Sequence, residues 1–96
     1  MKVRYLSVAE LELQEAIEFY ESVDIGLGIR FYGEVRNAID RIKQLPDAWA
    51  PLTGNARRCR TKVFPYGVIY QIREDEILIL AVAHLKRRPN YWKSRI

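Results

Sequence analysis

Ninety-six residues are enough for one hydrophobic core and too few for two. Apolar residues make up 49% of the chain, which suits a folded globule and excludes a disordered one. The net charge of +4 hides a split: residues 1–48 hold six Lys/Arg and nine Asp/Glu, a net of −3, whereas residues 49–96 hold ten and three, a net of +7. An acidic front half and a basic rear half direct the second half toward something anionic.

The chain opens Met1-Lys2-Val3-Arg4-Tyr5-Leu6, with no apolar run behind the charge, so no secretory leader is expected. Lys2 to Leu6 is short and β-like. Ser7-Val8-Ala9-Glu10 then has the pattern of a capping box, with Leu6 and Leu11 spaced as a hydrophobic staple. The helix that follows is expected to run to about Ser22. Ala9, Leu13, Ala16, Ile17 and Tyr20 share its inner face, while Glu10, Glu15, Glu18, Glu21 and Ser22 face water.

After a break at Val23-Asp24, Leu27, Phe31, Val35, Ala38, Ile42 and Leu45 recur at helical spacing, widened by Ile39, and Pro46 ends the run. Two amphipathic helices joined this closely predict an antiparallel helical hairpin. Gly26 and Gly28 lack the Lys-Ser/Thr of a phosphate loop and follow no strand, so they are loop glycines. Asp47 to Asn55 is a loop containing Pro51 and Gly54.

Beyond it the hydrophobic period shortens to that of a strand. Arg57–Phe64, Gly67–Arg73 and Ile77–His84 are predicted as three antiparallel strands, joined by Pro65-Tyr66-Gly67 and by Glu74-Asp75. Ile77–Ala83 is apolar throughout, which marks a central strand covered on both sides. It is also the longest apolar stretch, far short of the roughly 18–20 residues of a membrane span. One cysteine, Cys59, makes no internal disulfide and excludes a cysteine-based metal cluster, which suits a reducing cytoplasm. Leu85–Ile96 is a basic tail in which Pro89 restricts any helix to the residues beyond it.

The expected architecture is a single α+β domain over residues 1–96, in the order β-α-α-β-β-β. A helical hairpin packs on one face of a small antiparallel sheet of about four strands. The hairpin covers one sheet face only. Either the tail or another protein chain must shield the other.

Alternation along the first long strand sets Arg58, Arg60 and Lys62 on one face and Cys59, Thr61 and Val63 on the other. The three cations are either a charged edge that resists aggregation or a cradle for phosphates or carboxylates. In the tail, Lys86, Arg87, Arg88, Lys93 and Arg95 interleave with Tyr91 and Trp92, a composition found where single-stranded nucleic acid is bound. The same aromatics serve equally to pack the tail on the sheet. His84, the one histidine, is either a general acid or base or a structural donor at a strand end. No metal-ligand spacing is present, and neither metal nor cofactor is expected.

Several ordered motifs together resemble the RelE/ParE family of bacterial type II toxins. They are the hairpin, Arg57-Arg58, Phe64-Pro65-Tyr66-Gly67-Val68-Ile69-Tyr70, Leu80-Ala81-Val82-Ala83-His84, and Arg87-Arg88-Pro89 with Trp92. The resemblance implies a small cytoplasmic toxin, of the kind that serves plasmid stabilisation through growth inhibition. A cognate antitoxin encoded beside it would neutralise it by wrapping a C-terminal segment around it. Operator DNA would be reached only through that antitoxin.

The family divides by mechanism. RelE-like members are ribosome-dependent, metal-independent mRNA endoribonucleases. Carried over by position, Arg58, Arg60 and Lys62 would be the sheet cations, Arg87 or Arg88 would stabilise phosphate charge, and Tyr91 or His84 would move protons. ParE-like members inhibit DNA gyrase. The Phe64-Pro65-Tyr66 turn, the long hairpin and the His84-x-x-Arg87-x-Pro89-x-x-Trp92 ending look more like that side. The expected function is therefore a ParE-like toxin acting on gyrase or another protein target, with the ribonuclease or a non-toxic partner-binding module as alternatives. Arg58, Arg60, Lys62, Arg87, Trp92 and Arg95 are the residues expected to meet antitoxin or target.

Overall fold

A computed structural model describes residues 1–96. The elements are β1 (Lys2–Tyr5), α1 (Ser7–Val23), α2 (Leu27–Gln44), β2 (Ala56–Arg60), β3 (Tyr66–Arg73) and β4 (Glu76–His84), followed by a 3-10 turn at Lys93–Arg95. The sheet order is β1-β4-β3-β2. No helix is long and apolar enough to cross a membrane.

The α+β order and the helical hairpin on a four-stranded sheet are as the periodicities require. The sheet itself is mixed. β2, β3 and β4 pair antiparallel through short turns, but β1 joins β4 in parallel, Val3 beside Ile77 and Tyr5 beside Ile79. A parallel pair needs a long crossover. Here the hairpin, β2 and β3 all lie between the two strands.

α1 buries Ala9, Leu13 and Ala16 as its spacing predicts. Its start differs from the capping-box expectation. Leu6 is the N-cap, no side chain caps the helix, and the Glu10 amide donates to the Leu6 carbonyl. The Leu6 amide is itself held by the Ile79 carbonyl, so strand passes into helix with no residue left for a cap. Leu11 is exposed and no staple forms.

Glu21, expected only to face water, closes the hairpin instead. Its carboxylate accepts from the amides of Gly26 and Gly28 at 3.0 and 3.1 Å, satisfying orphan donors at the start of α2. The helices cross so closely there that a β-carbon on Gly28 would lie 2.7 Å from the Ile17 carbonyl oxygen. In α2, Phe31, Val35, Ala38, Ile39 and Ile42 are buried, whereas Leu45 falls at the C-cap and is exposed.

β2 is shorter than the predicted Arg57–Phe64. The chain leaves the ladder after Arg60 and tightens through bonds from Phe64 N–H to the Lys62 carbonyl and from Tyr66 N–H to the Phe64 carbonyl, both 2.8 Å. Thr61 Oγ1 donates to the Phe64 carbonyl at 2.8 Å. Cys59 and Thr61 point inward as alternation requires. Val63 does not: it takes a left-handed φ of 72° and is 80% exposed, an uncommon conformation for a β-branched residue.

β4 is central and covered on both faces. A bulge sets Tyr70 opposite Ile79 and Ile69 opposite Ala81, leaving Leu80 as the extra residue and reversing the alternation. Ile77, Ile79 and Val82 therefore pack under the helices, while Leu78, Leu80, Ala81 and Ala83 form a second cluster with Ala56, Ile69 and Trp92. The tail, not another chain, lays Trp92 over this second face.

Candidate functional site

The C-terminal end of β4, the turn after it and the tail come together beside β2. There a cleft of about 90 Å³ is lined by Arg58, His84, Arg87, Arg88, Tyr91 and Trp92, with Ile69, Ala83, Leu85 and Pro89 completing its wall. Arg58 reaches it because β3 offers Gly67 in its path. A β-carbon on Gly67 would sit 2.8 Å from Cγ and Cδ of Arg58, so only glycine lets the stem lie flat across the strand. No carboxylate lines the cleft. The chain's three ion pairs use Arg4, Arg57 and Arg95, leaving Arg58, Arg87 and Arg88 without internal counter-ions.

The four residues that the RelE-like reading singles out, Arg58, His84, Arg88 and Tyr91, thus share one cleft. Arg60 and Lys62 do not join them. They line a larger open groove of about 530 Å³ at the outer edge of β2, with Arg41, Trp49 and Leu52, and Arg58 borders both cavities. Trp92 is 4% exposed, so its ring is occupied in packing.

Arg95 is also committed. It donates to both oxygens of Glu12 at 3.0 Å and to the Leu80 carbonyl at 2.9 Å. Glu12 further accepts from the Val82 amide at 3.1 Å and from the Tyr91 hydroxyl at 2.8 Å. β1 ends where Tyr5 pairs with Ile79, and the next polar groups on that side of β4 are taken by this ion pair in place of a longer strand. Glu12 escaped the sequence reading. Its signal was present: with Ala9, Leu13 and Ala16 it occupies the i, i+3, i+4, i+7 stripe of α1, where a carboxylate requires a partner.

These contacts govern what the cleft can do. Burial, then the bond to Glu12, pushes the Tyr91 phenol up to about 12, and Arg87 lies over its ring at 3.9 Å. The His84 ring stands edge-on to Tyr66 at 5.2 Å. Its Nδ1 accepts the Lys86 amide at 3.0 Å, which leaves the ring proton on Nε2. The cleft is built to hold negative charge, and its phenol is not poised to accept a proton near neutrality. No group of three or more His, Cys, Asp and Glu gathers here as a metal site.

Burial likewise raises Tyr5 and Tyr70 to about 12, the Tyr70 hydroxyl donating to the Pro46 carbonyl at 2.6 Å. A folded-state value above the unfolded one means that the neutral phenol is favoured by folding. That contribution is complete below about pH 10 and is lost as pH rises toward 12. Denaturant midpoints are expected to hold level to about pH 10 and then fall steeply, in step with phenolate absorbance. A level midpoint through pH 12 would contradict the burial of these hydroxyls.

A helical hairpin on one face of a mixed sheet, a tail across the other and a cleft of arginines without counter-ions beside that tail define a small α+β domain with a basic cleft. A family model described as ParE toxin of type II toxin-antitoxin system, parDE, matches residues 3–89. Toxin ParE2 of Mycobacterium tuberculosis strain H37Rv is 32% identical over 96 residues, covering 99% of this chain and 91% of that protein. Toxin ParE2 of strain CDC 1551 matches to the same extent. Among solved structures, a chain from the chromosomal ParDE TA system from P. aeruginosa superposes with a TM-score of 0.72 at 17% identity, over 88% of this chain and 95% of that one. This similarity establishes the shared fold. The chain belongs to the ParE toxin family of type II toxin–antitoxin systems.

Proposed function

We propose that this protein is a growth-inhibiting toxin of the cytoplasm, neutralised by a small cognate antitoxin, and that it acts on DNA gyrase or another protein target without cutting mRNA. The observation that carries the choice against cleavage is the Glu12–Tyr91–Arg95 contact. A phenol that already donates to a carboxylate, with its pKa pushed up to about 12, is a poor general base, which leaves His84 alone among the two proton carriers of the ribonuclease reading. Binding by an antitoxin is supported by an unpartnered apolar run at the hairpin tip. Phe19, Val23, Ile25 and Ile29 are 60–92% exposed, against the ordinary tendency of such side chains to be covered. Operator DNA would be met only through the antitoxin.

The ribosome-dependent ribonuclease is the second reading. What favours it is the shared cleft of Arg58, His84, Arg88 and Tyr91, with no carboxylate in its lining. Inducible expression in a bacterium is expected to stop growth, and co-expression of the adjacent small reading frame to restore it. Unimpaired growth would leave only the non-toxic binding module. With purified protein, gyrase supercoiling should fail while mRNA in a translating extract stays whole. Cleavage within codons, reduced about a hundredfold or more by Arg88→Ala or Tyr91→Phe, would instead establish the ribonuclease.

A further inference from the structure

The groove at the outer edge of β2 shares only Arg58 with the tail-side cleft and is walled by cations without an acidic residue in its lining. Arg60 and Lys62 are exposed, and neither makes an ion pair within the chain. The pairing of Cys59 with Val68 on β3 turns the Arg58 carbonyl and the Arg60 amide away from the sheet, and no backbone group of the chain bonds either of them. The edge is kept open from both sides. Arg57 holds the preceding loop through the Asp47 and Trp49 carbonyls, so Pro51 pairs only with Arg57 and the loop departs from the strand. Arg41 donates to the Arg60 carbonyl at 2.9 Å and fixes the far end. Trp49, half-buried, and Leu52, 45% exposed, supply an apolar wall beside the charges.

We propose that this edge receives an extended acidic segment of a partner protein, added as a short strand against Arg58–Arg60 with its carboxylates on Arg60 and Lys62. The residues of such a strand alternate, acids toward the cations and apolar side chains toward Trp49 and Leu52. A second copy of this chain does not fit. Edge-to-edge pairing of two β2 strands would bring the same cations together with no acid between them. The inference deepens the antitoxin reading and rests on it, because it identifies where and in what conformation part of the antitoxin is held.

The test uses the whole chain in complex with the product of the adjacent small reading frame, followed by backbone hydrogen exchange. The Arg60 amide, free at an edge in the isolated protein, is expected to become protected about a hundredfold or more on binding. Arg60→Glu/Lys62→Glu is expected to weaken the complex more than about tenfold, and more than the equal charge change of Lys2→Glu/Arg73→Glu at the opposite end of the ladder. A complex that forms tightly while the Arg60 amide exchanges freely, or one that weakens equally in both double variants, overturns the β2 site and leaves the antitoxin reading intact. Failure of any complex to form, with no rescue of growth, overturns both.

Discussion

Replacing Trp92 with alanine is expected to cost about 3–5 kcal/mol and to lower the melting temperature by about 12 °C or more. The indole is 4% exposed and closes a cluster with Ala56, Ile69, Leu78, Leu80, Ala81 and Ala83. Four of these partners are on the central strand β4, and three of the six are alanines that cannot swell into the space left behind. The loss therefore combines the transfer free energy of a large side chain with an unrepaired cavity. Folded domains of this size hold only about 5–15 kcal/mol in total, so the variant should sit close to unfolding at growth temperature. Trp92→Phe keeps most of the buried area and should lose far less. Thermal melts by circular dichroism decide the matter. A fall of only a few degrees for the alanine variant would mean that the tail is not what seals the second sheet face.

Glu12→Gln is expected to be destabilising by about 3 kcal/mol, although it changes one atom. The carboxylate meets a guanidinium, a phenol and a backbone amide at once, and the two charged side chains are only 12% and 16% exposed. The amide of Gln can accept from Val82 but turns a donor toward Arg95 or Tyr91, leaving a mostly buried cation without its counter-charge. The effect belongs to the pair. Glu12→Leu with Arg95→Met should cost less than the sum of its single variants, by about 1–3 kcal/mol. Tyr91 provides an independent readout. Losing the acceptor and its charge should bring the phenol down from about 12 toward its ordinary value, while burial keeps it from returning fully. Additive single variants and an unmoved phenol would show that the three groups are merely neighbours.

The same two sites mark where local pattern stops being informative. The stripes of α1 and α2 and the unbroken apolar run of β4 were legible because period and burial are consequences of neighbouring residues. The capping box at Ser7 and Glu10 was a false signal, since the strand before it runs straight into the helix and its amide pairs with Ile79. The end of β2 at Arg60 and the outward Val63 were hidden because Lys62-Val63-Phe64 continues an alternating pattern while Thr61 and Tyr66 pull the chain into a turn. The bulge at Leu80–Ala81 lies inside a run that is apolar at every position, where no face can be assigned from residue type.

The candidate site divides in the same way. The basic character of the second half, the Arg58–Arg60 spacing and the gathering of His84, Arg87, Arg88 and Tyr91 near one strand end follow from order along the chain. Which cations stay free does not. Arg95 is 83 residues from Glu12 and yet is neutralised by it, Arg57 is tied to the loop carbonyls, and Arg41 is spent on the Arg60 carbonyl. By itself, the amino-acid sequence determined the elements, their order and a surplus of positive charge in the rear half. Only the tertiary structure decided that Arg87 and Arg88 line one cleft and Arg60 and Lys62 another, with Arg58 on the border of both, and that the tail closes the second sheet face. Charge is a property of composition. Its neutralisation depends on contacts between residues far apart in the chain, which exist only once the sheet, the hairpin and the tail have packed.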